Sequence, residues 1–117
     1  MRNPFLTLGL LLNHSIGFPG SAAYGATKHG VIGLTRSAAK ENGKRNVRVN
    51  AVAPGSIETP LLKKAQEANP EEGNDMPVAI KRTGTAEEMA NVIAFLVGPE
   101  SSYTTGSVYG ADGGWDC

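Results

Sequence analysis

Tyr24 and Lys28 stand four residues apart in "GSAAYGATKHG", residues 20–30. On a helix that spacing sets a phenol and an ammonium on one face. A free phenol ionises near pH 10, so only about one in a thousand is anionic at neutrality. A cation beside it favours the anion by attraction. Bringing ionisation close to neutral pH takes roughly 4 kcal/mol, which two positive groups in a partly desolvated site can supply. A tyrosine tuned in this way can protonate a carbonyl oxygen as hydride arrives, or deprotonate an alcohol in reverse. The spacing also arises by chance, so it carries weight only in company.

A second stretch offers company. Pro54-Gly55-Ser56-Ile57-Glu58-Thr59-Pro60 follows a run that reads as a strand, and ligands of open α/β sheets sit outside the carboxyl ends of strands. A Pro-Gly turn there lets backbone donors and acceptors face a ligand, and Thr59 adds a hydroxyl. The alternative is an ordinary strand-to-helix loop. Gly25, Gly30 and Gly33 each cost a helix about 1 kcal/mol relative to alanine. A helix that keeps them gains close approach on its bare side by a sheet, a ligand or another helix.

These residues need elements to hold them. Residues 17–21 read as a turn, and 22–41 as a helix with Val31, Leu34 and Ala38 on its inner stripe, stopped at Asn42-Gly43. "NVRVNAVAPG" alternates Val47, Val49, Ala51 and Ala53 on one face and closes on Pro54-Gly55, the pattern of a strand. A short helix is predicted over 60–66, and 67–77 reads as a polar, acidic, mobile loop. Thr85 and Glu88 form a capping box ahead of Met89, Val92, Ile93, Leu96 and Val97, an amphipathic helix ended by Gly98-Pro99. A strand around 107–111 and a turn at Asp112-Gly113-Gly114 follow. The order favours α/β with a parallel sheet, yet three or fewer strands make half of one. A sheet so divided would leave an unpaired edge along 47–53.

At 117 residues the chain is one domain at most. Eleven basic residues match eleven acidic ones, so no large field recruits nucleic acid or an anionic membrane. Cys117 is the single cysteine, and His14 and His29 lack ligand spacing, so no internal disulfide and no metal site is read. A reducing cytoplasm is the expected location. The opening "MRNPFLTLGLLLNHS" has the outline of a secretory signal, with Ser21-Ala22-Ala23 as a cleavage site, or else of a buried parallel strand.

Taken in order, Tyr24-Gly-Ala-Thr-Lys28, then Arg48-Val-Asn-Ala-Val-Ala-Pro-Gly55-x-Ile57-x-Thr59, then Thr105-Gly106 and Asp112-Gly113-Gly114, resemble the short-chain dehydrogenase/reductase family. The resemblance covers residues 17–115 and implies the carboxyl-terminal half of a Rossmann-type, doubly wound parallel domain. It further implies NAD or NADP as cofactor, a small carbonyl or alcohol substrate, and a homo-oligomer in the intact form. Tyr24 would be the acid/base, while Lys28 would hold the nicotinamide ribose and lower the tyrosine's pKa. Pro54, Gly55, Ile57 and Thr59 would embrace the nicotinamide, with the Ile57 backbone and the Thr59 hydroxyl touching its carboxamide. Residues 60–77 would form the substrate lid, and the Tyr24 helix would pair with a partner subunit.

The sequence also departs from that family. No G-x-x-x-G-x-G loop for the pyrophosphate precedes the motifs, and no charged residue after a second strand selects NAD or NADP. The family's catalytic serine stands about a dozen residues before the tyrosine, where this chain has leucines; Ser15 is the nearby hydroxyl and the candidate for that role. Residues 1–16 read as an atypical apolar segment joined to the family's second half, 17–117. Two functions follow: an NAD(P)-dependent oxidoreductase, or a truncated, catalytically silent piece that associates with a full-length relative.

Overall fold

Arg48–Pro54 forms β2, the middle strand of a three-stranded parallel sheet ordered β1-β2-β3. The computed structural model describes residues 5–9, 19–68, 70 and 78–116. Ser15 and most of the polar stretch 67–77 therefore lie outside the described residues, while Glu67 and Ala68, read as the start of the loop, belong to the helix Pro60–Ala68. β1 is Phe5–Gly9 and β3 is Val108–Ala111. Phe5 pairs with Arg48 and Gly9 with Val52 on one side of β2, while Ala51 pairs with Val108 and Pro54 with Ala111 on the other. The apolar opening thus contributes a parallel strand. The expected open edge along 47–53 is corrected: β2 has a neighbour on each side, and the outer edges belong to β1 and β3.

The alternating pattern read for this strand is also corrected. Arg48 through Ala53 are all buried, so both faces of β2 are covered and no solvent face exists. The polar side chains on it are partnered from within, except that Arg48 Nε is buried with no hydrogen-bond partner among the described residues. Arg48 Nη1 donates to the Thr104 carbonyl and Nη2 to the Gly98 carbonyl, each at 3.2 Å. Asn50 Nδ2 donates to Thr104 O at 3.0 Å, and its Oδ1 accepts from the Ser107 N–H at 3.1 Å.

Helix α1, Ala22–Asn42, packs on β2. Leu34 is 57% exposed, and the buried positions are Thr35 and Ala39. Small side chains win because the helix comes close: a Cβ placed on Gly106 would lie 3.4 Å from Ala39 Cβ. The Thr35 hydroxyl donates to Val31 O at 2.8 Å and so tolerates burial. The stop expected at Asn42-Gly43 shifts. Gly43 keeps a right-handed φ of −56° and opens a 3-10 turn, Gly43–Arg45; Asn46 makes the reversal at φ 57°. Asparagine is among the few residues that accept that conformation.

Two further helices follow, α2 at Pro60–Ala68 and α3 at Ala86–Val97. The capping box forms as read, with Thr85 accepting from the Glu88 N–H and Glu88 accepting from the Thr85 N–H. Gly98 ends α3, and Pro99–Ser101 makes a 3-10 turn toward β3. No helix among the described residues is long and apolar enough to cross a membrane. Because β1 and β2 are parallel, α1 must start at the end of the sheet where β2 finishes. Topology therefore brings the first turn of α1, the Pro54 end of β2 and the Ala111 end of β3 to one edge.

Candidate active site

Tyr24 lies in the first turn of α1, and Lys28 lies one turn on. Lys28 Nζ sits over the Tyr24 ring, 5.2 Å from its centroid. The ammonium thus meets the negative face of the ring. Tyr24 is 42% exposed, so in this geometry water shares the cation's influence on the phenol. The Tyr24 carbonyl accepts from the Thr27 hydroxyl at 2.7 Å, and His29 Nδ1 lies 2.9 Å from the Gly25 carbonyl. Among the described residues, nothing stands within 4 Å of a Cβ built on Gly25, Gly30 or Gly33, so no described part of the sheet covers their bare side.

Residues 54–59 leave β2 as a tightly held loop. Gly55 donates its N–H to the Ala111 carbonyl at 3.0 Å, and a Cβ on it would lie 2.6 Å from Asp112 Cα. Only glycine allows the two backbones to meet that closely. Ile57 makes an isolated parallel bridge with Gly84: Gly84 N donates to Ser56 O at 2.9 Å, and Glu58 N donates to Gly84 O at 2.8 Å. Thr59 Oγ1 accepts from the Leu62 N–H at 3.2 Å and so caps α2, which leaves its hydroxyl proton directed elsewhere. Glu58 pairs with Lys63 at 2.9 Å, and that ammonium holds its carboxyl below the usual range.

Arg82, which no motif in the sequence marks, and the capping-box pair Thr85 and Glu88 stand behind this loop. Arg82 grips Glu88 with both nitrogens, Nη2 to Oε1 at 2.6 Å and Nη1 to Oε2 at 2.9 Å. Together with the Thr85 N–H, the guanidinium holds the Glu88 carboxyl down to about 2. Thr85 and Glu88 carry a local signal in their cap spacing. Arg82 carries none, because it meets Glu88 across a turn. A cavity of about 320 Å³ opens between the loop and α3, with Ile57, Met89 and Val92 in its wall and Arg82 and Glu88 at its rim. Neither Tyr24 nor Lys28 lines it, so the cavity and the Tyr24–Lys28 pair are separate features.

A nicotinamide cofactor fits these residues at one end. A phenol and an ammonium share the helix face, and a Pro-Gly turn and the Thr59 hydroxyl stand at the same edge of the sheet. The sequence supplies no glycine turn feeding a helix N-terminus for a pyrophosphate.

A parallel α/β domain, incomplete and furnished at the carboxyl ends of its strands, is the class that fold and site define. The family model described as enoyl-(acyl carrier protein) reductase matches residues 6–116. A short-chain dehydrogenase/reductase of Pyricularia oryzae, ABA4, is 57% identical over 102 residues, which span 85% of this chain and 38% of the relative. Among solved structures, 4-hydroxyisoleucine dehydrogenase complexed with NADH superposes with a TM-score of 0.89 at 30% identity, covering 97% of this chain and 47% of that one. ElxO with NADP bound gives 0.84 at 34% identity, covering 95% and 46%. The chain belongs to the short-chain dehydrogenase/reductase family. It spans less than half the length of these relatives. The match begins at residue 6 and so takes in β1, ahead of the point at which the motifs alone make the resemblance visible.

Proposed function

We propose that this chain carries the proton-transfer and nicotinamide-side half of an NAD(P)-dependent oxidoreductase acting on a small carbonyl or alcohol. The observation that carries the reading is the Lys28 ammonium 5.2 Å over the Tyr24 ring, at the sheet edge where β2 delivers Pro54 and Gly55. Tyr24 gives its phenolic proton to the carbonyl oxygen, or takes one from the alcohol. Lys28 binds ribose hydroxyls and stabilises the phenolate. Pro54, Gly55, Ile57 and Thr59 hold the nicotinamide by backbone groups and one hydroxyl. A nicotinamide supplies or accepts the hydride when bound. Either NAD or NADP serves, in a cytoplasmic setting. Ser15 remains the proposed substrate hydroxyl.

A second reading has its own support. The chain spans 38% of the Pyricularia relative, and its sequence has no pyrophosphate loop. On that ground the 117-residue chain alone is catalytically silent and works only when completed by the amino-terminal portion of a relative. A few neutral hydrogen bonds of about 1 kcal/mol each do not offset the freedom lost by an immobilised dinucleotide.

Both parts are tested by titrating NADH and NADPH into the chain alone, and into a fusion carrying the amino-terminal portion of the Pyricularia relative. The chain alone should bind weakly, and the fusion should oxidise cofactor across a ketone panel. In the fusion, Tyr24→Phe should remove at least about 100-fold of turnover while keeping cofactor affinity, and Lys28→Ala should lower both. Turnover that survives Tyr24→Phe would sink the assigned acid/base. Micromolar binding by the chain alone would sink the second reading.

A further inference from the structure

The strip 80–85 joins three elements. Ile80 N donates to Gly113 O at 2.8 Å, next to the turn whose Asp112 backbone presses on Gly55. Gly84 bridges Ile57 with two backbone hydrogen bonds. Between them the Arg82 side chain folds back over its own strip: Nη1 donates to Thr83 O at 3.0 Å while the guanidinium forks onto Glu88. Glu88 is fixed in turn, since its Oε2 accepts from the Thr85 N–H in the first turn of α3. The carbonyl that Arg82 holds belongs to the residue before Gly84. Gly84 lies close against Ile57: a Cβ there would come within 2.9 Å of Ile57 Cδ1.

We infer that Arg82 is a positioning residue for the nicotinamide-side loop: its fork onto Glu88 locks the strip 83–85 against α3, and the strip holds the Ile57 backbone through the Gly84 bridge. The inference rests on the reading that Ile57 faces the nicotinamide. An isolated two-bond bridge cannot hold itself in water, since it has no neighbouring ladder to cooperate with. Without the fork, 83–85 would keep its helix cap and the two backbone bonds at Gly84, and the bridge would open more often. A bidentate arginine–carboxylate contact is the geometry that removes such freedom, and a lysine would supply the charge without the fork.

The test uses the 117-residue chain and the amide protons of Glu58 and Gly84, which are the bridge donors. Arg82→Ala should speed their exchange about tenfold while the amides of Ala90 to Leu96 in α3 stay protected, because the capping box is untouched. Arg82→Lys should recover part of that protection. Thr85→Ala should show the reverse pattern, loosening the first turn of α3 more than the bridge. Unchanged exchange at Glu58 and Gly84 in Arg82→Ala, or equal acceleration throughout α3 and β2, overturns the inference. A parallel NADH titration of the fusion carrying the amino-terminal portion of the Pyricularia relative, followed at the Ile57 and Glu58 amide resonances, separates the two claims. Shifts in the wild type that weaken in Arg82→Ala support both. No shift in the wild type at millimolar NADH overturns the cofactor role of Ile57, while the exchange data still decide the lock.

Discussion

At the scale of single residues, the glycines divide by what surrounds them. Gly55 lies against backbone, with Asp112 Cα at 2.6 Å and its carbonyl oxygen at 2.8 Å from a built Cβ. Gly30 sits in a helix with open space beside it. Gly55→Ala should therefore destabilise the chain by about 3 kcal/mol, since neither backbone can yield without disturbing the sheet end. Gly30→Ala should stabilise it by about 1 kcal/mol through helix propensity alone. Urea midpoints for the two variants check both signs. If Gly30→Ala also weakens association with a completing relative, the bare face is a contact face and not an idle one. Tyr24 and Lys28 stand just upstream on the same helix, so the residues with chemistry and the residues with vacancy share an element.

Among the elements, α3 and its approach carry the electrostatics that matter for stability. The Glu88 carboxyl sits at about 2 in the folded chain against an ordinary 4.5, held there by Arg82 and the Thr85 N–H. A depressed carboxylate stabilises the fold fully above its unfolded value and loses that contribution as pH falls through its folded one. The window therefore runs from about 4.5 down to about 2. Stability should fall across it, and Glu88→Gln should flatten the fall, leaving the smaller slope from Glu58. Urea midpoints at pH 5 and pH 2.5 read this directly. A slope unchanged in Glu88→Gln would remove the pair from the account. Both of its ends are largely exposed, so salt should blunt the effect.

The sequence made these elements legible to different degrees. Caps and stops are local chemistry, so the start of α3, its end at Gly98 and the start of α2 at Pro60 could be read from neighbouring residues, whereas α2 runs two residues past the expected 66 into the stretch read as loop. The burial of β2 could not. Arg48 and Asn50 look like a solvent face until the carbonyls of Gly98 and Thr104 are folded over them. Leu34 falls on the apolar stripe, yet it is exposed and the buried positions of α1 are Thr35 and Ala39, the latter 3.4 Å from a Cβ built on Gly106. In the candidate site, the contact between Lys28 and the Tyr24 ring is legible in their four-residue spacing. The Arg82 support is not, because no local period connects a guanidinium to a carboxylate across a turn.

For the whole molecule, the buried apolar residues among those described are Ala39, Val49, Ala51, Val52, Ala53 and Leu96, half of them alanine. The radius of gyration is 15.6 Å, against about 13.4 Å for a typical domain of this length. Leu34, Leu61, Ile80, Ile93 and Phe95 remain exposed. The exposed apolar surface among the described residues favours association. Light scattering coupled to size exclusion should find concentration-dependent assembly of the chain alone, relieved in the fusion with the amino-terminal portion of a relative. A monomer at all accessible concentrations would count against the half-domain account.

Arg48 has a consequence in time. Its guanidinium is buried beneath carbonyls 50 and 56 residues further along the chain, and Asn50 waits on Ser107, 57 residues on. No carboxylate stands in for those carbonyls among its described partners. While the segment is being synthesised, β1, α1 and β2 can come together only by stripping water from a cation that has nothing to receive it. The first βαβ unit is thereby discouraged from closing early, and the sheet sets as one event once residues 98–107 have arrived. Arg48→Met should let the early unit form before β3 does, visible in pulse-labelled exchange as protection in β2 that precedes protection in β3.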